Sequence, residues 1–297
     1  MLLTLPARPP FNFLSVIHSH GWRQLAPFSY DENTNTLSYV LRLSNARVIE
    51  LKMLEGKNAV LVETEKLNKA EQKEVADKVT WMFGLDMDFS AFYVASRAEP
   101  KLAHTEKQAL GRVLRSPTLF EDVVKTILTT NTLWRATQNM TRKLVEEFGE
   151  RNPRQNALQN TQRAFPTPEA IAASNPDALR DKIRVGYRAP AIHDLAVRVA
   201  SGRYDLEALK TSSLPTHELR KELMTLKGVG PYAAANLLVL LGRYDFIPID
   251  TYALQMVSHE WYKGKPVTAR EVEKRFEKWG EFKGLAFWFW DWKYNQD

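Results

Sequence analysis

One stretch in the C-terminal third of the chain constrains the fold most, because two helical patterns are joined there by a very short connection. The first pattern covers Thr216–Leu226, where Thr216 can cap the helix and leucines recur at helical spacing (Leu219, Leu223 and Leu226). The second covers Tyr232–Leu241 and is closed by Gly242. Only Lys227–Pro231, Lys-Gly-Val-Gly-Pro, separates them. The stretch therefore predicts a helix–hairpin–helix unit.

The hairpin itself predicts an anion-binding contact. Two glycines permit a positive φ and let another backbone come close. The N–H groups at the start of the second helix point outward and attract negative charge. A DNA phosphate fits such a site, so we predict that four hairpin residues bind DNA: Lys227, Gly228, Val229 and Gly230. The alternative is a plain corner between two helices, since short glycine motifs often match by chance.

The distribution of charge favours a polyanionic partner. The 297 residues carry a net charge of +6. Residues 101–297 hold 30 Lys and Arg against 23 Asp and Glu, whereas residues 1–100 hold 11 against 12. A basic excess attracts phosphates and releases their counterions. A generic basic surface is common, so the charge supports a DNA partner without establishing one.

The composition also excludes several classes of site. The chain has no cysteine, so it can form neither a disulfide nor a cysteine-ligated zinc or iron–sulfur centre. No run approaches the ~18 apolar residues of a membrane-spanning helix. The first residues, MLLTLPARPP, lack the features of a secretory signal. We expect an intracellular protein of the nucleoid or cytoplasm, or of the nucleus in a eukaryote.

The pattern along the chain predicts an α+β fold. Four strand-like runs indicate a small antiparallel sheet: Trp22–Tyr30, Thr36–Leu43, Ala46–Met53 and Ala59–Val62. Asn68 and Glu71 can then cap a helix that runs to Phe83, and from Leu85 the pattern is helical. We predict a β-rich N-terminal subdomain over residues 1–100 and a larger all-helical domain over residues 101–297. A polar loop is expected over residues 150–166.

The segment LKGVGPYAAANLLVLLGRYDFIPIDTYAL resembles the helix-hairpin-helix, Gly/Pro-Asp (HhH-GPD) DNA glycosylase superfamily. The branch it most resembles joins 8-oxoguanine glycosylase and 3-methyladenine DNA glycosylase II. The resemblance extends from about His20 to Tyr294 and is densest between Phe120 and Tyr252. The chain lacks the four-cysteine cluster loop of endonuclease III, so no iron–sulfur cluster is expected.

Asp250 matches the catalytic aspartate of this superfamily. Cleavage of an N-glycosidic bond builds positive charge on the sugar, and a carboxylate near C1′ stabilises that charge and can activate a water. The target base must first leave the stack. Because Asp250 precedes the helical pattern TYALQMV, it is also a good helix N-cap, and both roles can hold together.

Tyr232 departs from the superfamily pattern. Bifunctional members carry a lysine at this position, and its amine forms a Schiff base with C1′. Tyrosine cannot form an imine, so the resemblance implies a monofunctional enzyme in which water is the nucleophile. We place Tyr232 in the base pocket, with Phe287 and Trp290 from the aromatic tail. Such rings suit a cationic alkylated base through cation–π contacts, although core packing is the default interpretation of aromatic residues in the tail.

Three further positions match DNA-contacting positions of the superfamily. Asn131 matches the asparagine that fills the gap left by the extruded base, although Asn at a helix boundary is routine. Tyr187 and Arg188 match a turn near the unpaired partner base, where Tyr187 could stack and Arg188 could bond a phosphate or a base edge. An ordinary helix end at Gly186 is the alternative.

We therefore predict a monomeric, monofunctional DNA N-glycosylase of base excision repair that removes an alkylated purine from double-stranded DNA. No cofactor is expected beyond a monovalent cation, Na⁺ or K⁺, which the superfamily often holds on the hairpin backbone. No side-chain metal site is predicted, since the six histidines are scattered. Two alternatives remain: a bifunctional 8-oxoguanine-type glycosylase/lyase that uses another lysine, and a non-catalytic DNA-binding protein that keeps only the hairpin.

Overall fold

The computed structural model describes residues 1–152 and 163–292. Most of the loop predicted over residues 150–166 thus lies outside the described residues, as do residues 293–297 at the end of the chain. The chain forms two compact units. The first unit contains Met1–Met87, Arg112–Thr211 and Leu226–Gly228, and the second contains Asp88–Gly111, Ser212–Thr225 and Val229–Asp297. The boundary at residue 100 between a β-rich subdomain and a helical domain stays a prediction.

The regular elements follow one another from a strand-rich beginning to a helical remainder. The strands are β1 (Leu2–Pro6), β2 (Phe28–Asp31), β3 (Thr36–Arg42), β4 (Val48–Gly56) and β5 (Ala59–Glu63). The helices are α1 (Phe13–Ile17), α2 (Lys69–Phe83), α3 (Ser90–Ser96), α4 (His104–Lys107), α5 (Leu119–Thr129), α6 (Trp134–Phe148), α7 (Pro168–Ala172), α8 (Pro176–Ala178), α9 (Ala189–Ala200), α10 (Thr216–Met224), α11 (Pro231–Leu240), α12 (Thr251–Trp261), α13 (Ala269–Phe276) and α14 (Lys283–Trp288).

The strands form one antiparallel sheet in the order β1-β5-β4-β3-β2. In the first half of β3, buried Leu37 and Tyr39 alternate with partly exposed Thr36 and Ser38, as expected of a strand with one covered face. The alternation stops at Val40, which is buried as well. A small sheet followed by a mostly helical body is the predicted α+β fold, which is thereby confirmed.

The sequence prediction was wrong at the first strand. The segment Gly21–Gln24 is a 3₁₀-helix, and pairing with β3 begins only at Phe28. A tertiary contact explains the difference, because the indole N–H of Trp22 donates to Asp122 Oδ1 at 2.7 Å. Strand β1 was not predicted and pairs with β5 over its full length.

Local capping signals were more reliable. The predicted capping box of α2 is present: Asn68 Oδ1 accepts from the N–H of Glu71, and the Glu71 side chain accepts from the N–H of Asn68. The predicted cap of α10 by Thr216 is wrong, since Pro215 occupies the cap position and no side chain bonds there. Proline still favours that start, because it fixes a backbone angle compatible with helix entry.

A buried polar network lies between the sheet and α5 in the first unit. Lys125 Nζ is bonded to Glu121 Oε1 at 2.6 Å, and the Tyr39 hydroxyl donates to Glu121 Oε2 at 2.5 Å. Asp122 Oδ1 accepts from Trp22 and from the backbone N–H of Ser116, whereas Asp122 Oδ2 is buried without a hydrogen-bond partner. The network compensates each buried charge at least in part, as burial in a low dielectric requires.

Burial also shifts the ionisation of this network. Desolvation raises the pKa of Asp122 from 3.8 to about 6, against the hydrogen bonds of Trp22 and Ser116 that lower it. Desolvation, and then the charge of Lys125, lowers the pKa of His20 from 6.5 to about 3. His20 stacks on Trp22 with ring centroids 4.6 Å apart, and Trp22 donates to Asp122, so His20 adjoins the buried polar network.

The second unit is helical, and its core contains the buried helix α11 and an aromatic cluster. Helix α11 is buried on nearly all sides, with Ala233–Ala235 and Leu237–Leu240 inaccessible. Such a helix belongs to the centre of a core rather than to its surface. The C-terminal helices enclose an aromatic cluster around Phe276, whose ring lies 5.4–6.0 Å from its neighbours (Trp261, Phe287, Trp290 and Trp292). No helix within residues 1–152 and 163–292 is long and apolar enough to cross a membrane.

The raised pKa of Asp122 predicts a specific dependence of stability on pH. The folded state binds the Asp122 proton more tightly than the unfolded state does, so the wild type loses stability as the pH rises from about 4 to about 6. Asp122→Asn keeps an acceptor for Trp22 and has no such proton. Between pH 4.5 and 7, the free energy of unfolding of the variant should therefore gain about 2 kcal/mol on that of the wild type.

Urea unfolding at the two pH values measures this difference. Asp77→Asn is the matched control, because Asp77 is exposed and lies in a surface ion pair with Lys73. Parallel pH curves for Asp122→Asn and wild type would show that Asp122 is ionised in the folded protein throughout this range.

Candidate active site

Asp250 begins helix α12 in the second unit. Its backbone is extended, and its Oδ1 accepts from the N–H of Ala253 at 2.8 Å, so it is the N-cap. Ile247 and Pro248, in the segment that precedes the helix, are buried, whereas Asp250 itself is exposed. The carboxylate thus lies at the positive end of a helix dipole. One oxygen is engaged in the cap, and the exposed group can present the other to a ligand.

Tyr232 lies beside Asp250 within the same unit. Burial, and then the negative charge of Asp250 together with a hydrogen bond between the two side chains, raises the pKa of Tyr232. The phenol is consequently protonated throughout the neutral range and can donate to the carboxylate. The two positions lie eighteen residues apart in the sequence. Folding of α11 and α12 thus brings the predicted catalytic aspartate next to the position where bifunctional members carry a lysine.

The two hairpin glycines differ in backbone conformation and in the space that a side chain would have. Gly228, in the first unit, has φ +81°, and a Cβ there would lie 3.1 Å from the Cβ of Ala191. Gly230, in the second unit, has φ −88°, and a Cβ there would meet nothing within 4 Å. The positive φ that the two glycines permit is thus present at Gly228 and absent at Gly230. Its conformation suits any residue, and the space around it is open.

The other features of the hairpin concern the capping of α11 and the partner of Lys227. Val229 is buried, and Gly230 occupies the N-cap position without a side-chain hydrogen bond to the helix. First-turn N–H groups are therefore left for an external acceptor. In the first unit, Lys227 Nζ forms an ion pair with Asp194 Oδ1 at 2.7 Å. Lys227 is 64% exposed, so its ammonium can exchange this partner for a phosphate.

The structure brings Asn131 together with Tyr187 and Arg188, although Asn131 lies 56 positions before Tyr187 in the sequence. Asn131 Nδ2 donates to the Tyr187 hydroxyl at 3.3 Å, and the Arg188 guanidinium donates to the carbonyls of Thr130 and Asn131. Asn131 has φ +46°, a conformation that Asn tolerates better than most residues. Tyr187 is 65% exposed, so its ring is available for stacking.

Arg188 occupies a different environment from the one expected of a phosphate ligand. It is only 7% exposed, and its guanidinium lies 4.5 Å from the centre of the Tyr187 ring. Its hydrogen bonds hold the backbone that carries Asn131, so in this structure it positions the turn. Direct contact between Arg188 and DNA stays a prediction.

Phe287 and Trp290 belong to the aromatic cluster around Phe276. Trp290 lines a cavity of about 560 Å³ at the C-terminal end of α12. Ten residues of helix separate that end from Asp250, about 15 Å at the usual rise. Charged groups line the cavity (Lys101, Lys274, Arg275, Lys278, Glu99 and Glu260). Four cations disfavour a cationic base in this cavity. The base-pocket role of Phe287 and Trp290 stays a prediction.

Sequence reasoning missed several residues around these positions. Asp194 pairs with Lys227 from α9, and helical spacing gives no signal for such a pair. Leu133 and Trp134 follow Asn131 and are exposed, although both are large and apolar. An unusual residue at a helix start, where Ser, Thr, Asp or Asn is preferred, was the available signal for Leu133. Among the residues that the structure describes, no group of three or more His, Cys, Asp or Glu could hold a metal ion.

The comparison with known families identifies the class of protein. Residues 124–282, more than half of the chain, match the family described as HhH-GPD superfamily base excision DNA repair protein. The chain belongs to this superfamily. The family that the hairpin and the Pro-x-Asp segment resemble is thereby confirmed.

Individual relatives cover nearly the whole chain. It is 24% identical over 271 residues to the DNA-3-methyladenine glycosylase of Bacillus subtilis (strain 168), which covers 88% of this chain and 87% of the relative. It is similar in structure to the 3-methyladenine DNA-glycosylase from Archaeoglobus fulgidus, with a TM-score of 0.75, 20% identity and 97% coverage of both chains. It is also similar to MBOgg1 in complex with a low affinity DNA ligand, with a TM-score of 0.73, 26% identity, and coverage of 97% of this chain and 92% of that one.

The burial of Arg188 predicts how its replacement affects DNA binding. Arg188→Met removes the hydrogen bonds to the Thr130 and Asn131 carbonyls without removing an exposed charge. Affinity for a duplex with an abasic site should fall about tenfold, the effect of losing a charged hydrogen bond. The slope of log affinity against log salt should be unchanged, because no phosphate contact is lost.

Binding titrations at several salt concentrations test this expectation. Lys227→Met is the matched comparison, since it removes an exposed cation and should lower the slope by about one. An equal drop in slope for Arg188→Met would show that Arg188 contacts a phosphate directly.

Proposed function

We propose that this DNA glycosylase of base excision repair is monofunctional and hydrolyses the N-glycosidic bond of an alkylated purine in double-stranded DNA. The observation that carries the proposal is the pairing of Tyr232 with Asp250. A hydroxyl stands where a bifunctional relative needs an amine, and burial and then the charge of the neighbouring Asp250 carboxylate raise its pKa. The coarser assignment, a DNA glycosylase of base excision repair, rests on the superfamily and on the named relatives.

Asp250 is proposed to stabilise the transition state. As the bond between the base and C1′ lengthens, positive charge develops on the sugar, and an ionised carboxylate attracts it. The cap hydrogen bond from Ala253 fixes the orientation of the carboxylate and engages only one of its oxygens. The second oxygen can orient a water and accept its proton as the water attacks C1′.

Tyr232 is proposed to orient Asp250. A protonated phenol donates a hydrogen bond to the carboxylate and supplies no nucleophilic nitrogen. Lys227 is the lysine nearest to Tyr232 in the sequence, and it forms an ion pair with Asp194 in the first unit. Water is therefore the nucleophile that these side chains best support, and the expected product is an intact strand with an abasic site.

Double-stranded DNA is the proposed partner. The uncapped start of α11 and the open space at Gly230 suit a phosphate. Asn131 and the exposed ring of Tyr187 offer an amide and a stacking surface to bases. MBOgg1, a similar protein, is known in complex with DNA.

The class of base is the finer part of the proposal. Two of the relatives are named for 3-methyladenine, which supports an alkylated purine. A structure of similar fold from Clostridium acetobutylicum is named an 8-oxoguanine glycosylase/lyase, and 8-oxoguanine is therefore the second candidate. Base release from duplexes that each contain one defined lesion, 3-methyladenine or 8-oxoguanine, distinguishes the two.

Replacement of the carboxylate should separate catalysis from binding. Asp250→Asn keeps an oxygen for the cap hydrogen bond, so α12 and the affinity for DNA should be preserved. Base release should fall by at least a hundredfold, because the neutral amide cannot balance a cationic transition state. Single-turnover release and DNA affinity are the measurements. Release at a rate near that of the wild type would remove Asp250 from the mechanism and favour a non-catalytic DNA-binding role.

The nucleophile can be identified by covalent trapping. With water as nucleophile, borohydride should trap no wild-type protein on lesion-bearing DNA, and the strand should stay uncut at the abasic site. Tyr232→Phe should keep this behaviour but lower base release about tenfold, through loss of one hydrogen bond to a charged group. A trapped protein–DNA adduct of the wild type would instead demonstrate an amine nucleophile and a bifunctional enzyme.

A further inference from the structure

The cavity at the C-terminal end of α12 lies in the second unit, at the opposite end of that helix from Asp250. The proposed chemistry uses none of the charged groups that line it. Its volume is about 560 Å³. Pockets of roughly 300–1,000 Å³ are the size that encloses a small molecule. The cavity is therefore large enough for a ligand, and the chemistry of its walls indicates which class of ligand fits.

The walls of this cavity carry an excess of positive charge, with four basic groups and two acidic ones. Two of the cations are neutralised by the two acids, with N···O distances of 2.9 and 3.4 Å (Lys278 with Glu99, and Lys101 with Glu260). Lys274 and Arg275 form no ion pair with any residue that the structure describes. Two adjacent uncompensated cations beside a concave surface favour an anionic ligand.

Aromatic side chains line the same cavity. Trp261 and Tyr262 are half-buried, so part of each ring is accessible to a ligand. The Arg275 guanidinium lies 4.8 Å from the centre of the Tyr262 ring, and its Nε donates to the Tyr262 hydroxyl at 3.3 Å. A positive charge and a flat surface are thus held side by side. Planar rings stack on surfaces of this kind.

Trp290 gives the cavity wall a hydrogen-bond donor. Its side chain is only 8% exposed, and its indole N–H is buried without an acceptor among residues 1–152 and 163–292. Buried donors are normally paired, so this one requires an explanation. The Trp290 ring lies 5.2 Å from the ring of Trp261, which places the donor within the aromatic wall. A ligand rich in acceptor atoms matches such a wall.

We propose that this cavity binds a nucleotide, a small molecule that combines a planar base with phosphate groups. The phosphates lie against Lys274 and Arg275, and the base stacks on Tyr262. An inorganic anion would leave the aromatic wall unused. A duplex presents its phosphates on a convex surface, which does not fit a concave site. The inference is independent of the proposed function, because it involves neither Asp250 nor the hairpin.

Calorimetric titration of the full-length protein with adenosine diphosphate, in a buffer without phosphate, tests the proposal. The wild type should bind adenosine diphosphate about tenfold more tightly than either adenosine or inorganic pyrophosphate, since each of these lacks one set of contacts. Lys274→Met should weaken the binding of adenosine diphosphate about tenfold, through loss of a charged hydrogen bond. Its melting temperature should equal that of the wild type, because Lys274 is exposed.

Lys221→Met is the matched control. Lys221 is an exposed lysine on α10 in the same unit and does not line the cavity, so its replacement removes the same charge and should leave the affinity unchanged. Tyr262→Leu tests the stacking surface. It should weaken the binding of adenosine diphosphate about tenfold and leave that of pyrophosphate unchanged, because only the base contacts the ring. An equal loss for both ligands would exclude stacking on Tyr262.

Other results would overturn the proposal. A wild-type protein that binds no adenosine diphosphate, or binds pyrophosphate equally well, has no nucleotide site in this cavity. If Lys227→Met weakens binding and Lys274→Met does not, the nucleotide binds at the hairpin and the cavity is excluded. Base release from lesion-containing duplexes measures the proposed function separately, so either the glycosylase assignment or the nucleotide site can fail while the other stands.

Discussion

The hydrogen bond between the N–H of Ala253 and Asp250 is the interaction on which the proposed chemistry depends. One carboxylate both begins a helix and carries the predicted catalytic charge. The cap orients the carboxylate at the N-terminus of α12. Tyr232 adds a neutral donor from α11. The orientation of the charge at this site is therefore set largely by backbone geometry, which a helix supplies more rigidly than a loop could.

The sequence predicted those parts of the fold that local chemistry determines. The capping box at Asn68 and Glu71 and the helices on either side of the hairpin depend on residues a few positions apart, and the structure contains them. The strand expected at Trp22 failed because its indole bonds to Asp122, a hundred residues away. No local pattern reports a partner at that distance, and the same limit explains the missing strand β1, which pairs only with β5.

The candidate site shows the same division. Family motifs located Asp250, Tyr232 and the hairpin, but they could not report which side chains are exposed. The sequence predicts that Arg188 contacts a phosphate or a base edge. In the structure its side chain is buried against the turn that carries Asn131. Leu133 carries no signal of exposure in the sequence, and it is the most exposed large apolar side chain of the described residues. Burial is a property of tertiary packing, and one sequence carries only its average expectation.

The difference between Gly228 and Gly230 has a consequence for how sequences of this kind can diverge. Gly228 is required by its backbone conformation and by the close packing of Ala191, so substitution there acts on folding, with or without DNA. Gly230 has an ordinary conformation and open space around it, so the free protein would tolerate a side chain. A lineage that stopped binding DNA would keep selection on the first glycine and lose it on the second. In such relatives, the residue at the second position alone would record whether a nucleic acid still approaches the hairpin.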